Sequence, residues 1–323
     1  MTKRLLCVVL DDFQQAAASS ADWSALEDAV ELRSIDRHPQ SEDELVQLIA
    51  DAEIVVTLRE RIEFPRTVFE RLPKLQLLIA TGMRNSAIDL AAASEHGVVV
   101  SGTASSLTPP AELTWALILG LSRHLVSEDA AMRSGGWQST IGRDLFGHTL
   151  GVIGLGRIGA AVAKVGLAFG MKVQAWSSNL TEQRCAEVGV ELASSLEALL
   201  GASDVVSIHL KLGARSRGLI GAEQLAAMRP SALLVNTSRS AIVDQQALLT
   251  ALREARIGGA GLDVFDHEPL PADAQIRQAP RTLLTPHLGY VTADNLSVYF
   301  TEAVEDISAF LAGTPTRVLN QSN

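Results

Sequence analysis

Three polar segments in the last third of the chain carry residue types that suit acid–base chemistry on a carboxylic acid. Each follows an apolar, strand-like run, and they contain Arg239, Glu268 and His287 in turn. In open α/β sheets, ligands bind just outside the carboxyl ends of the strands. An arginine can grip a carboxylate through two parallel hydrogen bonds, and a histidine beside a carboxylate can move a proton near neutral pH. The three residues therefore predict chemistry on a small oxo- or hydroxy-acid.

The elements that would position these residues form two series of alternating strands and helices. The first series has predicted strands at 5–10, 54–57, 75–80 and 98–100; the second has them at 150–153, 172–176, 205–210, 232–236, 260–264 and 282–285. Strands that alternate with helices predict parallel sheets. With 323 residues, the chain is long enough for two domains.

A long apolar helix is predicted between the two series, over residues 111–133, just after Pro109 and Pro110. Proline is tolerated in the first turn of a helix and disfavoured further in. Apolar side chains surround this helix, which predicts burial on several sides. It is interpreted as a linking helix that also contributes to a homodimer; the alternative is a helix of the core alone.

A glycine-rich turn follows the predicted strand at 150–153 and opens a helix. Gly154, Gly156 and Gly159 have the GxGxxG spacing, with Arg157 and Ile158 between the last two glycines. In this strand–turn–helix context, the glycines let the backbone approach a pyrophosphate, and the start of the helix supplies free N–H groups. The turn predicts NAD or NADP as cofactor; the alternative is a packing turn that binds no ligand.

The choice between NAD and NADP depends on the end of the next strand, where NAD-specific sites place a carboxylate. The corresponding residue is Ser177, and Ser178 and Asn179 follow it. The segment has no carboxylate that would repel a 2′-phosphate, and it has no adjacent arginine that would attract one. Arg184 is close in sequence, but nothing in the sequence places it in the site, so the preference stays open.

The bulk properties exclude several classes of partner. The formal net charge of −10 and the pI of about 5.2 argue against nucleic acid or an anionic membrane surface. Cys7 and Cys185 form no paired motif, and the histidines have no metal-ligand spacing, so no metal site is predicted. No apolar stretch is long enough to span a bilayer. A cytoplasmic protein with a small-molecule substrate is expected.

The order of these motifs resembles that of the D-isomer-specific 2-hydroxyacid dehydrogenases over nearly the whole chain. That family includes phosphoglycerate dehydrogenase, glyoxylate/hydroxypyruvate reductase and D-lactate dehydrogenase. The segments that carry the resemblance are 81–89, 111–113, 154–159, 204–209, 217–221, 236–239, 243–244, 262–265, 268–269 and 285–287.

The resemblance implies a role for each residue of the site. Arg239 would bind the substrate carboxylate and polarise the reacting carbonyl, His287 would be the acid or base, and Glu268 would hold His287. Thr237, Ser238 and Asp263 would face the nicotinamide side. His209 follows a strand and is interpreted as lining the cofactor groove or, equally, as a packed residue at the strand end. Gly82 and Met83 would offer backbone N–H groups to the substrate. The implied cofactor contacts besides the glycine turn and Ser177 are His209, Thr237, Ser238, Asp263 and Gly289.

The fold expected from this resemblance is two flavodoxin/Rossmann-like α/β domains with parallel sheets and an interdomain cleft. The substrate domain would be discontinuous, comprising residues 1–107 and 290–323. The cofactor domain, residues 108–289, would be inserted between its two parts.

The substrate would be a small 2-oxo or 2-hydroxy acid of the 3-phosphoglycerate, glyoxylate or hydroxypyruvate class. Arg59 and Arg61 follow the strand that ends at Thr57, and an arginine pair at a similar position contacts the anionic substrate in phosphoglycerate dehydrogenases. The alternative is that both pair with Glu60 and Glu63 on a solvated loop.

Two other functions compete with the dehydrogenase. The C-terminal-binding-protein corepressors also look like this family and would use the dinucleotide site as a nicotinamide sensor. Formate dehydrogenases pair the catalytic histidine with a glutamine, whereas this chain has Glu268. The intact set of Arg239, Glu268 and His287 favours the 2-hydroxyacid dehydrogenase.

Overall fold

The computed structural model describes residues 4–321. These residues form two compact units. One runs up to Ser106 and resumes at Val291, and the other comprises Leu107–Tyr290. The boundaries predicted from sequence lie within one residue of these positions.

The first unit is built on a five-stranded parallel sheet in the order β2-β1-β3-β4-β5. Buried aliphatic runs form β3 and β4, as is typical of parallel strands covered on both faces. The strands are β1 (Leu5–Val9), β2 (Val30–Ser34), β3 (Ile54–Thr57), β4 (Leu77–Ala80) and β5 (Val99–Gly102). The helices of this unit are α1 (Ala17–Ser20), α2 (Glu42–Ile49), α3 (Arg66–Phe69), α4 (Leu90–Glu95) and α12 (Ala293–Leu311).

The second unit is built on a seven-stranded parallel sheet in the order β12-β11-β10-β9-β6-β7-β8. Its strands are β6 (Thr149–Ile153), β7 (Lys172–Trp176), β8 (Glu191–Leu192), β9 (Val205–Ile208), β10 (Leu233–Asn236), β11 (Gly259–Leu262) and β12 (Thr282–Leu284). Its helices are α5 (Thr108–Ser122), α6 (Leu125–Arg133), α7 (Arg157–Ala168), α8 (Glu182–Val188), α9 (Leu196–Ala202), α10 (Ala222–Ala227) and α11 (Gln245–Arg253). The strand order reverses at β6, which makes the carboxyl end of β6 the ligand-binding position of such a sheet. The prediction of two parallel-sheet α/β domains is confirmed.

The predicted single helix over residues 111–133 is wrong. The helix α5 begins earlier, with both prolines in its first turn, and it ends at Ser122. His124 has a left-handed backbone with φ of 52°, so the chain turns before α6 begins. Helix α5 packs on α7 and on the strands of the second sheet, whereas α6 has no buried residue. The apolar stretch therefore divides into a core helix and an exposed one.

Two strands were not predicted. In β2, only Val30 is buried, and β8 is two exposed residues long. Both lie at a sheet edge.

Within residues 4–321, none of the helices is both long enough and apolar enough to cross a membrane.

Candidate active site

The three predicted catalytic residues lie at one edge of the second sheet. Arg239 follows β10, Glu268 follows β11 and His287 follows β12. These strands are parallel neighbours in the order β12-β11-β10, so their carboxyl ends lie side by side. Sequence order and sheet order coincide here, which brings the three segments to the same edge.

His287 and Glu268 form a directly bonded pair. The imidazole Nδ1 lies 2.6 Å from Oε2 of Glu268, and the backbone N–H of Phe265 donates to Oε1 of the same carboxylate at 2.9 Å. An ionised carboxylate only accepts hydrogen bonds, so Nδ1 carries the hydrogen in this pair. The opposite ring nitrogen, Nε2, then faces away from Glu268.

The loop that carries His287 is anchored by Asp263, which is fully buried. Its Oδ1 accepts from the Thr285 hydroxyl and from the Leu288 N–H, both at 2.7 Å, and its Oδ2 accepts from the Gly289 N–H at 2.9 Å. Burial raises the pKa of Asp263 above its usual value, while these hydrogen bonds and the nearby His287 oppose that rise. His287 itself has a left-handed backbone with φ of 54°.

The Asp263 carboxylate is bonded to the loop that carries His287, and its predicted place beside the nicotinamide stays a prediction. Its side chain is removed from solvent, and its carboxylate is engaged by the loop 285–289. Gly289 belongs to the same loop, and its N–H donates to Asp263. Asp263 is therefore a residue that positions His287, and the sequence did not indicate this role.

The segment that carries Arg239 is shaped by Asn236, which is buried at the end of β10. The Asn236 side chain accepts from the Ser238 N–H and donates to the Arg239 carbonyl, both at 3.0 Å. Asparagine commonly folds the backbone that follows it in this way. The guanidinium of Arg239 is half-buried and donates to the Ser238 carbonyl at 2.8 Å.

Thr237 and Ser238 both have hydrogen bonds to neighbouring elements of the second unit. The Thr237 hydroxyl lies 2.9 Å from the hydroxyl of Thr114 on α5. The Ser238 hydroxyl donates to the Ile208 carbonyl at the end of β9, at 2.7 Å. These bonds fix the turn after β10 to β9 and α5, while both residues remain half-buried.

The glycine turn after β6 has the geometry that a pyrophosphate requires. Gly154 has φ of +98°, and a Cβ on Gly159 would lie 2.0 Å from the Gly154 carbonyl oxygen. Gly156 caps α7 without a side chain, and a Cβ there would meet nothing within 4 Å. The glycines allow the turn to close, and the open side at Gly156 leaves the first N–H groups of α7 accessible. The described residues therefore fit a dinucleotide cofactor.

The other residues of this turn are arranged around its packing. Arg157 is exposed at the first position of α7, and Ile158 is half-buried and packs against the core. His209 follows β9, and its backbone approaches Gly154 closely enough to exclude any side chain there. Its Nε2 lies 2.8 Å from the Ser207 hydroxyl, and burial lowers the pKa of His209 to about 4. His209 thus lies beside the turn as a packed, neutral histidine.

Ser177 lies directly after β7 and is half-buried. Arg184 on α8 donates from Nε to the Leu155 carbonyl in the glycine turn at 3.2 Å, and it pairs with Glu187 at 2.9 Å. The guanidinium of Arg215 approaches the same segment, 3.4 Å from the Ser178 hydroxyl and 3.3 Å from Oδ1 of Asn179. Sequence reasoning missed Arg215, because 36 and 37 residues separate it from these partners.

The predicted substrate residues of the first unit follow β3 and β4, which are parallel neighbours. Arg59 has φ of 58°, and its guanidinium donates to the Thr81 carbonyl at 3.0 Å, next to Gly82. Arg61 lies over the ring of Phe13 at 5.4 Å.

The Gly82 amide, predicted to face the substrate, is bonded within the first unit, and its contact with the substrate stays a prediction. Its backbone φ is +117°, and its N–H donates to the Thr103 hydroxyl at 3.1 Å. That amide is thus already engaged within the unit. The Met83 side chain beside it is 48% exposed.

Among residues 4–321, no group of three or more histidine, cysteine, aspartate or glutamate side chains could hold a metal ion. His267 adjoins Glu268 and is exposed. At the edge formed by β10, β11 and β12, the histidine that contacts Glu268 is His287.

Comparison with known proteins places these features in a family context. Residues 115–289 match the family profile described as D-isomer specific 2-hydroxyacid dehydrogenase, NAD binding domain. A glyoxylate reductase from Korarchaeum cryptofilum is 36% identical over 294 residues, which cover 88% of this chain and 88% of that protein.

Two further relatives are named for phosphoglycerate. A D-3-phosphoglycerate dehydrogenase from Methanocaldococcus jannaschii is 35% identical over 288 residues, and the match covers 88% of this chain but only 54% of that protein. The chain thus spans about half the length of that relative. The crystal structure of a phosphoglycerate oxidoreductase from Vibrio cholerae superposes with a TM-score of 0.90 at 33% identity, over 96% of this chain and 99% of that one.

Proposed function

The chain belongs to the D-isomer-specific 2-hydroxyacid dehydrogenase family, and from that premise we propose that His287, Glu268 and Arg239 interconvert a small 2-oxo acid and its D-2-hydroxy acid. As a member of this family, the protein is an oxidoreductase that uses a nicotinamide cofactor. The observation that carries the assignment of residues is the bond of 2.6 Å between His287 Nδ1 and Glu268 Oε2.

In the direction of reduction, His287 delivers a proton from Nε2 to the carbonyl oxygen of the substrate. Glu268 supports this step because it accepts the hydrogen on Nδ1 and thereby fixes which ring nitrogen faces the substrate. In the direction of oxidation, the same nitrogen removes the hydroxyl proton. Asp263 keeps the loop 285–289 in place while the proton moves.

Arg239 binds the carboxylate of the substrate and polarises the adjacent carbonyl. A guanidinium offers a planar pair of donors that matches a carboxylate, which a lysine cannot reproduce. Asn236 supports this role because it holds the backbone of Arg239 from both sides of the turn.

The unit 107–290 binds the cofactor, and when bound the nicotinamide supplies or accepts the hydride. Gly154, Gly156 and Gly159 leave room for the pyrophosphate at the start of α7. Thr237 and Ser238, whose hydroxyls are held by Thr114 and Ile208, shape the turn beside it.

The other unit contributes to substrate binding through Arg59, Arg61 and Met83. Substrates of the glyoxylate, hydroxypyruvate and 3-phosphohydroxypyruvate class are the candidates, since relatives at similar identity are named for both glyoxylate and phosphoglycerate. Two arginines after β3 favour an anionic group beyond the carboxylate. Although Arg59 also braces Thr81, its replacement should raise KM more for 3-phosphohydroxypyruvate than for glyoxylate, because only the former carries a phosphate. Equal effects on both substrates would assign Arg59 to the loop alone.

The test of the function is a panel of NADH and NADPH oxidation against these three oxo-acids. His287→Asn should lower kcat by about 10²- to 10⁴-fold, which is the usual contribution of an acid–base group. The affinity for the reduced cofactor should stay within about threefold, since His287 acts on the substrate side. His267→Asn is the matched control, because His267 is an exposed histidine of the same region, and it should leave kcat unchanged.

Wild-type protein that binds the cofactor tightly but turns over none of the oxo-acids would overturn the proposed enzyme in favour of a nicotinamide sensor. The relatives reported above are named as reductases and dehydrogenases, which favours the enzyme over the corepressor-type alternative.

We also propose that the protein forms a homodimer, through α6 and the loop that follows it rather than through α5. Large apolar side chains are exposed along this stretch: Leu125, Val126, Met132, Trp137, Ile141 and Phe146. Contiguous exposed apolar surface commonly marks a protein contact. Both cysteines are free and buried, as expected in the reducing cytoplasm, where we propose that the protein acts.

A further inference from the structure

The carboxyl end of β7 has no acidic residue and faces an arginine from a distant loop. The segment after β7 contains Ser177, Ser178 and Asn179, which offer two hydroxyls and an amide. Arg215 reaches this segment from the loop between β9 and α10. In dinucleotide-binding folds, this strand end meets the ribose of the adenosine half, where a carboxylate selects NAD and an arginine accommodates a 2′-phosphate.

The described partners of Arg215 carry no charge that would compete with an anion for its guanidinium. Its described partners are the neutral side chains of Ser178 and Asn179, at 3.4 and 3.3 Å. Hydrogen bonds of that length to neutral groups are weak, and a phosphate would replace them with shorter, charge-assisted ones. The guanidinium is exposed, so it can turn toward a ligand without opening the core.

The loop that presents Arg215 is held by the next residue. Ser216 is buried, accepts from the Gly213 N–H at 2.9 Å and donates to the Lys211 carbonyl at 2.7 Å. These two bonds close the loop on itself. Arg215 therefore projects from a backbone that is already ordered, which lowers the entropy cost of binding an anion.

Arg184 is a different case, although it is closer to Ser177 in sequence. Its charge is paired with Glu187, and its Nε donates to the Leu155 carbonyl in the glycine turn. It braces the turn under the pyrophosphate position, so it should affect dinucleotides with and without a 2′-phosphate alike.

We propose that this strand end is a 2′-phosphate subsite, formed by Ser177, Ser178, Asn179 and Arg215, and that the protein prefers NADPH to NADH. The inference rests on the proposed function only in that the unit 107–290 binds a nicotinamide dinucleotide.

The experiment uses calorimetric titration with adenosine 2′,5′-bisphosphate and with AMP, which differ only in the 2′-phosphate. Wild-type protein should bind the bisphosphate about 10- to 100-fold more tightly, the range of a hydrogen-bonded charged group. Arg215→Ala should remove most of this ratio while the affinity for AMP stays within about threefold. Arg184→Ala should leave the ratio intact. Arg253→Ala, on α11, is the charge-matched control, since its guanidinium donates to Gln275, and it should change neither affinity.

Adenosine 3′,5′-bisphosphate separates a defined subsite from general attraction to charge, and it should bind more weakly than the 2′,5′ isomer. Equal binding of the two isomers, equal binding of AMP and the 2′,5′-bisphosphate, or an unchanged ratio in Arg215→Ala would each overturn the proposal. If Arg215→Ala folds poorly, Arg215→Gln replaces it, and the comparison of ligands on wild-type protein needs no variant.

The panel of oxo-acids distinguishes the two proposals. Discrimination between the adenosine ligands without turnover of any oxo-acid would remove the proposed function and leave the subsite. Turnover of an oxo-acid with NADH and NADPH alike, together with equal adenosine affinities, would remove the subsite and leave the function.

Discussion

The variant Asp263→Asn should show how far catalysis depends on the position of His287, because it disturbs the loop that carries His287 and keeps the imidazole. In the wild-type protein, two carboxylate oxygens of Asp263 accept three hydrogen bonds from the loop 285–289. An amide has one acceptor, so Asp263→Asn can keep the bonds from Thr285 and Leu288. Its NH₂ group must then face the N–H of Gly289, and two donors would oppose each other in a buried place.

The magnitude follows from those three bonds. A hydrogen bond to a charged acceptor contributes about 1.5–3 kcal/mol, and a buried donor left unsatisfied costs about 1–3 kcal/mol. Removal of a buried charge offsets part of this loss, because burial raises the pKa of Asp263 and thus opposes its ionised form. We expect a net loss of about 2–4 kcal/mol in the free energy of unfolding.

The effect on catalysis should exceed what the loss of stability explains. Displacement of the loop by about 1 Å would move Nε2 of His287 away from the substrate, and misplacement on that scale costs about 10²-fold in rate. The assays are kcat with the best oxo-acid under conditions where the variant is fully folded, and unfolding by urea. Asp244→Asn is the matched control, because Asp244 accepts two backbone N–H groups at the start of α11. It should keep kcat and lose little stability, because both bonds end on Oδ1, which an asparagine retains.

A graded variant sharpens the test. Thr285→Val removes one of the three donors and leaves the carboxylate, so its effects on stability and kcat should be smaller than those of Asp263→Asn. The reasoning would fail if Asp263→Asn kept the wild-type kcat while losing stability, because the loop would then not depend on Asp263. It would also fail if neither quantity changed.

Three further outcomes are expected. Gly156→Ala should leave stability unchanged, since a Cβ there meets nothing within 4 Å, but it should weaken dinucleotide binding in a titration. Gly159→Ala should instead destabilise the fold by about 1–3 kcal/mol. Equal effects of the two variants on stability would contradict the packing argument. The pKa of His209 lies at about 4 in the folded protein and at 6.5 ordinarily, so the unfolded chain binds the proton first as pH falls. Wild-type protein should therefore lose about 2 kcal/mol of stability relative to His209→Gln between pH 7 and pH 5, and parallel losses would refute a packed neutral histidine. Ile141 is 95% exposed and should contribute to the dimer contact. Ile141→Glu should therefore give monomers of 34.4 kDa by light scattering. The control, Leu311→Glu on α12, should leave the dimer intact.

Residues that follow consecutive strands were the most predictable part of the site. Parallel strands that are adjacent in both sequence and sheet must bring their carboxyl ends together, so Arg239, Glu268 and His287 were predictable as one group. The role of Asp263 was not, because the sequence shows an acid at a strand end but not whether its oxygens face a ligand or the chain. The break at His124 was also missed, since apolar composition continues through it while the backbone turns left-handed.

The same argument explains why the cofactor preference could not be resolved from sequence. The glycine turn and Ser177 follow β6 and β7, which are adjacent in the chain and in the sheet. Arg215 comes from the loop after β9, on the other side of β6, and only the reversal of strand order at β6 brings the two loops to one ligand. A local motif therefore predicts the pyrophosphate position, whereas the selectivity for the 2′-phosphate depends on a contact across the switch point of the sheet. Selectivity in this chain can thus change through Arg215 alone, without any change in the glycine turn or in the pair of His287 and Glu268.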